Sequence, residues 1–412
     1  MRQPIRLIHF ADLHLGVENY GRLDPETGVS GRVKDFLKCL DFLVETALAE
    51  EVDLVLFAGD AYRTRDPSPT YQREFARRIR RLAEAGIQVF LLVGNHDMPG
   101  ATGRAHSVDI FQTLAVPNVT VGDRPGLHRL ETRRGPVQIV AIPWLTYNRI
   151  LLREEFRGLN VEEIHAEVVR RVEAFLTGEE GVLRRLDREV PAVLAFHGSV
   201  LGATYGSERS VLLGQDIVLP PSLVRQPGLD YVALGHIHKH QVLWEDPPVV
   251  YAGSLERVDF GEEKEEKGFI LAEVRPGKAE YRFVPAPTRP MRTLDLRPRE
   301  ANPTGEVLAV LEGQPLEEAI VRVVIHLRSE QEPLLDERAV RRALERAYCV
   351  AAITKDVERP TRLRLGPQEA IEGLTPLEIL EQYFLQKGVP QERIRALLER
   401  AEVLMRGEDA QP

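Results

Sequence analysis

Cysteine is nearly missing. Cys39 and Cys349 are the only two in 412 residues, and no Cys-x-x-Cys pair occurs. A disulfide framework and a thiolate zinc site are thereby excluded. Any metal must be held by His, Asp, Glu or Asn, a donor set that suits octahedral manganese or iron better than structural zinc. Long apolar runs are also lacking. Leu54 to Ala58 and Val89 to Val93 are typical of the longer ones, far below the ~18 residues of a membrane span. The opening stretch Met1-Arg-Gln-Pro-Ile-Arg-Leu-Ile-His9 has no apolar core of the secretory kind, so a cytoplasmic protein without a membrane partner is expected. Positive charge is not in excess, because 54 Lys and Arg against 63 Asp and Glu leave −9. Nucleic-acid binding by bulk charge is excluded, and any contact with a polyanion must be local. What remains, with 43% hydrophobic and 28% charged residues, is an ordinary globular composition and a length for two or three domains.

From the N-terminus to about residue 283, short β-branched runs alternate with longer segments of helical period, the pattern of an α/β fold. Val33 to Glu50 carries Val33, Phe36, Leu37, Leu40, Leu43, Val44 and Ala47 at helical spacing, Tyr71 to Ala85 repeats it before Gly86, and Val161 to Leu176 is a third helix, closed by Gly178. Five apolar runs end in polar clusters. Ile5 to Phe10 leads to Asp12 and His14, Leu54 to Ala58 to Gly59-Asp60, and Val89 to Val93 to Gly94-Asn95-His96-Asp97. Val193 to Phe196 leads to His197, and Tyr231 to Leu234 to Gly235-His236-Ile237-His238. In open α/β sheets, ligands bind beyond the carboxyl ends of the strands, where such loops converge.

Between residues 285 and 303, five prolines are read as interrupting regular structure, so a linker is placed there. Beyond it, Val321, Val323, Ile325 and Leu327 alternate as a strand, Arg338 to Tyr348 reads as a helix, and Val350 to Ile353 as another strand. Thr375-Pro-Leu-Glu378 is a capping box with proline at the first helical position, and a second helix is expected after Pro390. Leu377, Leu380, Phe384, Ile394, Leu397, Leu398 and Leu404 would form an apolar seam between them. The expected domains are 1–284, carrying the chemistry, a linker and small α+β domain at 285–365, and a helix pair at 366–412.

Residues two apart on extended backbone project to one side, so Asp12 with His14, and His236 with His238, can each present two ligands in one direction. Adding Asp60, Asn95 and His197 makes seven N/O donors, about what two metal ions need when water and substrate complete their shells. A carboxylate can bridge ions roughly 3.5–4 Å apart, and Asp60 is the natural bridge.

These five motifs, in this order, resemble the calcineurin-like metallophosphoesterase superfamily. The segment Tyr251-Ala-Gly-Ser-Leu-Glu-Arg-Val-Asp-Phe-Gly-Glu262 is similar within it to the double-strand-break repair nucleases of the bacterial SbcD type. The resemblance implies a four-layer α-β-β-α sandwich with a small α+β cap and a C-terminal helical hairpin. It implies two manganese ions, one held by Asp12, His14, Asp60 and His238, the other by Asp60, Asn95, His197 and His236. His96 would act on the leaving oxygen without being a ligand, and Asp97 would orient its ring. The implied activity is a 3′ to 5′ exonuclease on duplex DNA and an endonuclease on single strands and hairpins, in repair and recombination. The implied partners are DNA and a coiled-coil ABC ATPase of the SbcC type, within a heterotetramer containing two copies of this chain.

Some relatives carry a histidine where this chain has Arg63. Arginine cannot serve as a proton donor near neutral pH but grips phosphate bidentately. Arg63 and Arg65 are therefore assigned to DNA contact, whereas Arg73, Arg77, Arg78, Arg80 and Arg81 are read as one solvated helix face. His9, His106, His128, His165, His240 and His326 are read as ordinary surface or hydrogen-bonded histidines. The same ligands would serve a phosphoesterase acting on something other than DNA, and a scaffold that keeps the fold without catalysis is a further alternative.

Overall fold

The computed structural model describes residues 3–99, 104–145, 158–206, 216–358 and 375–405. Two six-stranded mixed sheets form its centre. The first contains β1 (Ile5–Phe10), β2 (Leu54–Phe57), β3 (Gln88–Leu92), β4 (Val119–Gly122), β13 (Gly268–Arg275) and β14 (Lys278–Pro285), in the order β14-β13-β1-β2-β3-β4. β1 to β4 run parallel, and β13 and β14 extend that sheet antiparallel. The second contains β5 (Gly126–Thr132), β6 (Gly135–Ile142), β7 (Ala192–His197), β10 (Tyr231–Gly235), β11 (Gln241–Glu245) and β12 (Pro248–Tyr251), in the order β11-β12-β10-β7-β6-β5. Its four inner strands are parallel and both edges are antiparallel hairpins. β8 (Ser199–Val200) and β9 (Val218–Leu219) form a small separate pair.

The strands are apolar on both faces because both faces are covered. In β1, Ile5 and Leu7 face the other sheet, while Ile8 and Phe10 face outward against helices α1 (Gly31–Ala49) and α2 (Pro69–Glu84). In β7, Val193 and Ala195 point inward, and Leu194 and Phe196 meet Val168, Val172 and Leu176, which lie on the helix at Val161–Thr177. Helix, sheet, sheet and helix make the expected four layers. Ser30 and Ser68 cap α1 and α2 by accepting the Arg32 and Tyr71 N–H groups, and Asn160 with Glu163 forms a capping box on the third helix. The arginine-rich face of α2 is paired: Arg78 meets Asp41 at 2.7 Å, Arg81 meets Glu45 at 2.6 Å, and Arg80 meets Glu84 at 3.3 Å.

In chain order the remaining helices are α3 (Asp109–Thr113), α4 (the Val161–Thr177 helix), α5 (Pro221–Val224), α6 (Pro303–Glu312), α7 (Glu337–Ala343), α8 (Pro376–Gln386) and α9 (Gln391–Met405). A three-stranded sheet, β15 (Met291–Leu296), β16 (Ile320–Arg328) and β17 (Cys349–Glu358), follows the sandwich. The prolines of 285–303 thus do not exclude regular structure. Pro290 and Pro298 lie outside β15, where they take no donor from its ladder. The helix expected over Arg338 to Tyr348 stops at Ala343, and the strand expected over Val350 to Ile353 is ten residues long.

The chain divides into two compact units that are not separated by one cut. The first comprises Met1–Leu294, Leu311–Val323 and Arg341–Ile353, and the second Asp295–Val310, Val324–Val340 and Thr354–Pro412. The boundary expected near residue 365 lies outside the described residues. In the second unit, Thr375 caps α8 in a box with Glu378, and Ile394 of α9 is buried, while Leu404 stays 69% exposed and so lies outside any seam.

His9 is the polar exception in the layer between the sheets. Its Nδ1 lies 3.0 Å from the Tyr231 hydroxyl and its Nε2 3.2 Å from the Leu234 carbonyl oxygen, so β1 is tied to β10 by a neutral, fully buried ring. Burial lowers its pKa from 6.5 to about 3. The unfolded chain takes up a proton near pH 6.5 that the folded chain refuses until about pH 3, so stability falls as pH drops through that window. Urea unfolding midpoints are expected to fall less between pH 7 and 4 in His9→Phe than in the unsubstituted protein; parallel declines would refute this. Phe90→Ala, which opens the same layer, is expected to cost about 3–5 kcal/mol, and a loss below about 1 kcal/mol would mean that the sheets close over the gap.

Candidate metal centre

The five motifs follow β1, β2, β3, β7 and β10. The first three are neighbours in one sheet, and the last two in the other. Parallel pairing aligns the carboxyl ends within each sheet, and the stacking sets the two rows against each other. The turns that aim the side chains are strained. Asp12 (φ 51°), His14 (46°), Asp60 (65°) and His236 (98°) all occupy the left-handed region, which non-glycine residues avoid unless their surroundings enforce it. Glycine serves where backbone must come closer still. A Cβ on Gly59 would lie 2.2 Å from His197 Nδ1, and one on Gly235 would lie 2.2 Å from the Ala58 carbonyl oxygen.

The seven anticipated donors come together. Asn95 Oδ1 is 2.9 Å from His197 Nε2 and 3.0 Å from His236 Nδ1. In the other half, His14 Nε2 lies 2.9 Å from His238 Nε2. Asp60 stands between, with Oδ1 3.5 Å from His197 Nε2 and Oδ2 3.7 Å from His14 Nε2. Single donor atoms from Asp12, His14 and His238, from His14, Asp60 and His96, and from Asp12, Asp60 and His197 form three groups within 4.8 Å.

The outer hydrogen bonds fix which ring nitrogens carry protons. His197 Nδ1 donates to the Ala58 carbonyl at 2.6 Å, His236 Nε2 to Asp216 at 3.1 Å, and His238 Nδ1 to Glu262 at 2.7 Å. The nitrogens facing the crevice are then lone pairs, and two of them face the Asn95 oxygen, itself an acceptor. Acceptors at this separation repel unless a cation lies among them; oxygen or nitrogen ligands held ~2.1 Å from an octahedral ion stand about 3.0 Å apart. His14 Nδ1 is buried without a partner among the described residues. The donor set therefore fits divalent cations. Without cations a proton takes their place at His197: burial alone would depress its pKa, but the Asp60 and Asp12 charges overcome that and raise it to about 9. Burial would raise the Asp60 pKa, yet the surrounding imidazoles of His197, His96 and His14 hold it well below the usual carboxylate range.

Asp97 does not orient His96. Its carboxylate is fully buried and accepts the N–H groups of Asp60 (2.8 Å), Ala61 (3.0 Å) and Gly94 (2.9 Å) and the Ser107 hydroxyl (2.9 Å). It ties the loop after β2 to the loop after β3 and so sets the placement of Asp60 and Asn95. The His96 ring is held instead by the Arg63 carbonyl oxygen, 2.8 Å from Nδ1, while the Arg63 and Arg65 side chains are exposed.

Two carboxylates escaped the sequence reading. Glu262 closes the segment noted for its resemblance, but nothing in that segment shows that it reaches back to His238. It is fully buried, and Lys267 at 2.9 Å balances its charge. Asp216 also accepts the Ser199 hydroxyl at 2.5 Å, and no local pattern marks it. Trp144 packs over His236 with ring centroids 4.9 Å apart.

Comparison with known proteins now decides the family. Residues 5–240 match the family model described as "Calcineurin-like phosphoesterase". The chain belongs to this family. Among its relatives, the D subunit of the nuclease SbcCD from Escherichia coli (strain K12) is 28% identical over 67% of this chain and 66% of that protein, just under two thirds of its length. The Rhodobacter capsulatus protein of the same name is 30% identical over 75% of each chain. "Uncharacterized metallophosphoesterase YhaO" of Bacillus subtilis (strain 168) is 29% identical over 69% of this chain and 60% of that one. The family is, by its description, one of phosphoesterases, and the donor set above fits the divalent cations such chemistry uses. No helix among the described residues is long and apolar enough to cross a membrane.

Partners that orient a ligand through its far nitrogen are worth about 10–100-fold in metal affinity. Glu262→Gln is accordingly expected to weaken Mn²⁺ binding by about that factor in equilibrium dialysis. Unchanged affinity would leave Glu262 and Lys267 with a packing role only.

Proposed function

We propose that the protein is a manganese-dependent DNA nuclease. It degrades duplex ends 3′ to 5′ and cuts single strands and hairpins, in repair and recombination, together with a coiled-coil ATPase of the SbcC type. The observation that carries this reading is the convergence of seven N/O donors from two sheets on one crevice, in a chain related to proteins named as nuclease subunits.

In this reading Asp12, His14, Asp60 and His238 hold one cation, and Asp60, Asn95, His197 and His236 hold the second. When bound, such a pair lowers the pKa of a water and offsets charge on the attacked phosphodiester. Asp60 serves both halves through its two oxygens. The His96 Nδ1–H hydrogen-bonds the Arg63 carbonyl, which leaves Nε2 of the protonated ring to give its proton to the leaving oxygen and end as a neutral imidazole. Arg63 and Arg65 are exposed and meet no carboxylate among the described residues, so each is free to grip a DNA phosphate. On α8 and α9, Tyr383, Leu385, Val403, Leu404 and Met405 are exposed apolar side chains. That is the character of a helix-in-groove contact, and the ATPase is its proposed occupant. Two copies of this chain would then sit in one assembly with that ATPase.

The test uses end-labelled duplex, hairpin and single-stranded DNA with Mn²⁺. Shortening of the duplex from its 3′ ends is the expected result, and hydrolysis of a small chromogenic diester with all DNA left intact would favour a different substrate. His96→Ala is expected to keep bound metal and lose about 10²–10⁴-fold in cleavage rate, whereas Asp60→Ala should empty both positions. Loss of metal from His96→Ala would make His96 a ligand, as its closeness to His14 and Asp60 allows.

A further inference from the structure

A cavity of about 520 Å³ begins one residue along the chain from Glu262, the carboxylate behind His238. Glu262 touches His238, and the next two residues, Glu263 and Lys264, already line this cavity together with Arg257, Arg292 and Thr293. Its lining carries three cations, Arg257, Lys264 and Arg292, against one carboxylate. The one carboxylate in its lining, Glu263, is engaged by Thr293, whose N–H and hydroxyl donate to it at 2.7 and 2.5 Å.

The cations are not matched. The Arg257 guanidinium reaches only neutral oxygens, the carbonyls of Glu263, Glu265 and Arg289 and the Thr288 hydroxyl. Arg292 Nε is buried and has no partner among the described residues. Behind Thr293, Arg322 bonds the threonine hydroxyl oxygen and lies over the Phe260 ring, 4.6 Å from its centroid. No ion pair joins Arg257, Lys264, Arg292 or Arg322 to a carboxylate among the described residues. In a chain of net charge −9, four such groups in one place form a local field that attracts an anion. Planar guanidinium groups suit the oxygens of phosphate.

We propose that this cavity binds backbone phosphates of a polynucleotide strand whose scissile group lies at the metal centre, with Arg292 and Lys264 as the contacts. The proposal rests on the nuclease reading above. Phosphates follow one another every ~3.4 Å of rise along a strand, so a strand that leaves the crevice over the surface around buried Glu262 would reach exposed Lys264 within a few nucleotides. Arg257, locked by four neutral oxygens, holds the wall in shape while its charge stays uncompensated.

The test is fluorescence anisotropy of a labelled single-stranded oligonucleotide in Ca²⁺ at several salt concentrations. Removing one phosphate-binding cation lowers the slope of log affinity against log salt by about 0.7 on single strands. Arg292→Gln and Lys264→Gln are each expected to show that decrease and a several-fold weaker affinity, and Arg292→Lys to recover most of the slope. Lys264 is exposed, so its substitution reads the charge without disturbing the fold. Unsubstituted affinity and slope in both Gln variants would overturn the cavity as a phosphate site. Competition by inorganic phosphate or a mononucleotide as effective as that by the oligonucleotide would overturn the strand contact. An unsubstituted protein that binds no DNA yet hydrolyses small diesters would instead remove the nuclease reading beneath it.

Discussion

Ligand atoms crowded to within about 3 Å of one another are the constraint on which the rest of the structure depends. Asn95, His197 and His236 on one side, and His14 and His238 on the other, bring nitrogen and oxygen atoms together in a crevice whose histidines are buried. Such an arrangement is unfavourable for the polypeptide alone and favourable around cations. The framework that holds it must therefore be stiff. Two sheets packed through an apolar layer supply that stiffness, and at the ligand end polar links cross between them: Asp12 to the His236 N–H, His197 to the Ala58 carbonyl, and His9 to Tyr231 and Leu234.

The same ends store conformational strain. Asp12, His14, Asp60 and His236 stand in a backbone region that costs of order 1–3 kcal/mol for such residues. The Asp97 carboxylate and the close approaches at Gly59 and Gly235 show what enforces those conformations. Behind the ligands, Glu262 and Asp216 repeat one device, a carboxylate that takes the outer N–H of a histidine and turns its other nitrogen inward. The two differ in their own surroundings. Glu262 is balanced by buried Lys267, and Asp216 by the Ser199 hydroxyl.

Much of the fold was legible in the amino-acid order because strand and helix leave different periods. The five strands that carry the donors, the helices beginning near Gly31, Pro69 and Val161, and the capped hairpin after Thr375 could all be read in advance. The failures have local causes. Prolines at 290 and 298 flank β15 without entering it. The helical period after Glu337 ran past the point where the chain turns into β17. Asp97 was paired with His96 because the two are consecutive, but consecutive side chains in a turn diverge, and Asp97 points to the loop after β2. His9 is hydrogen-bonded, within what was expected of it, but nothing near it in sequence reveals that its partners Tyr231 and Leu234 lie across the layer.

By itself the order of residues determined the chemistry on offer: N/O donors, almost no thiols, and strand ends rich in His and Asp. Residue type and short-range spacing are local properties, set by side-chain chemistry and by the two-residue repeat of extended backbone. Only the tertiary structure decided which oxygens sit behind which histidines, what Asp97 holds, and where arginines are left without carboxylates. Those facts depend on contacts between residues tens to hundreds of positions apart, made when the two sheets stack.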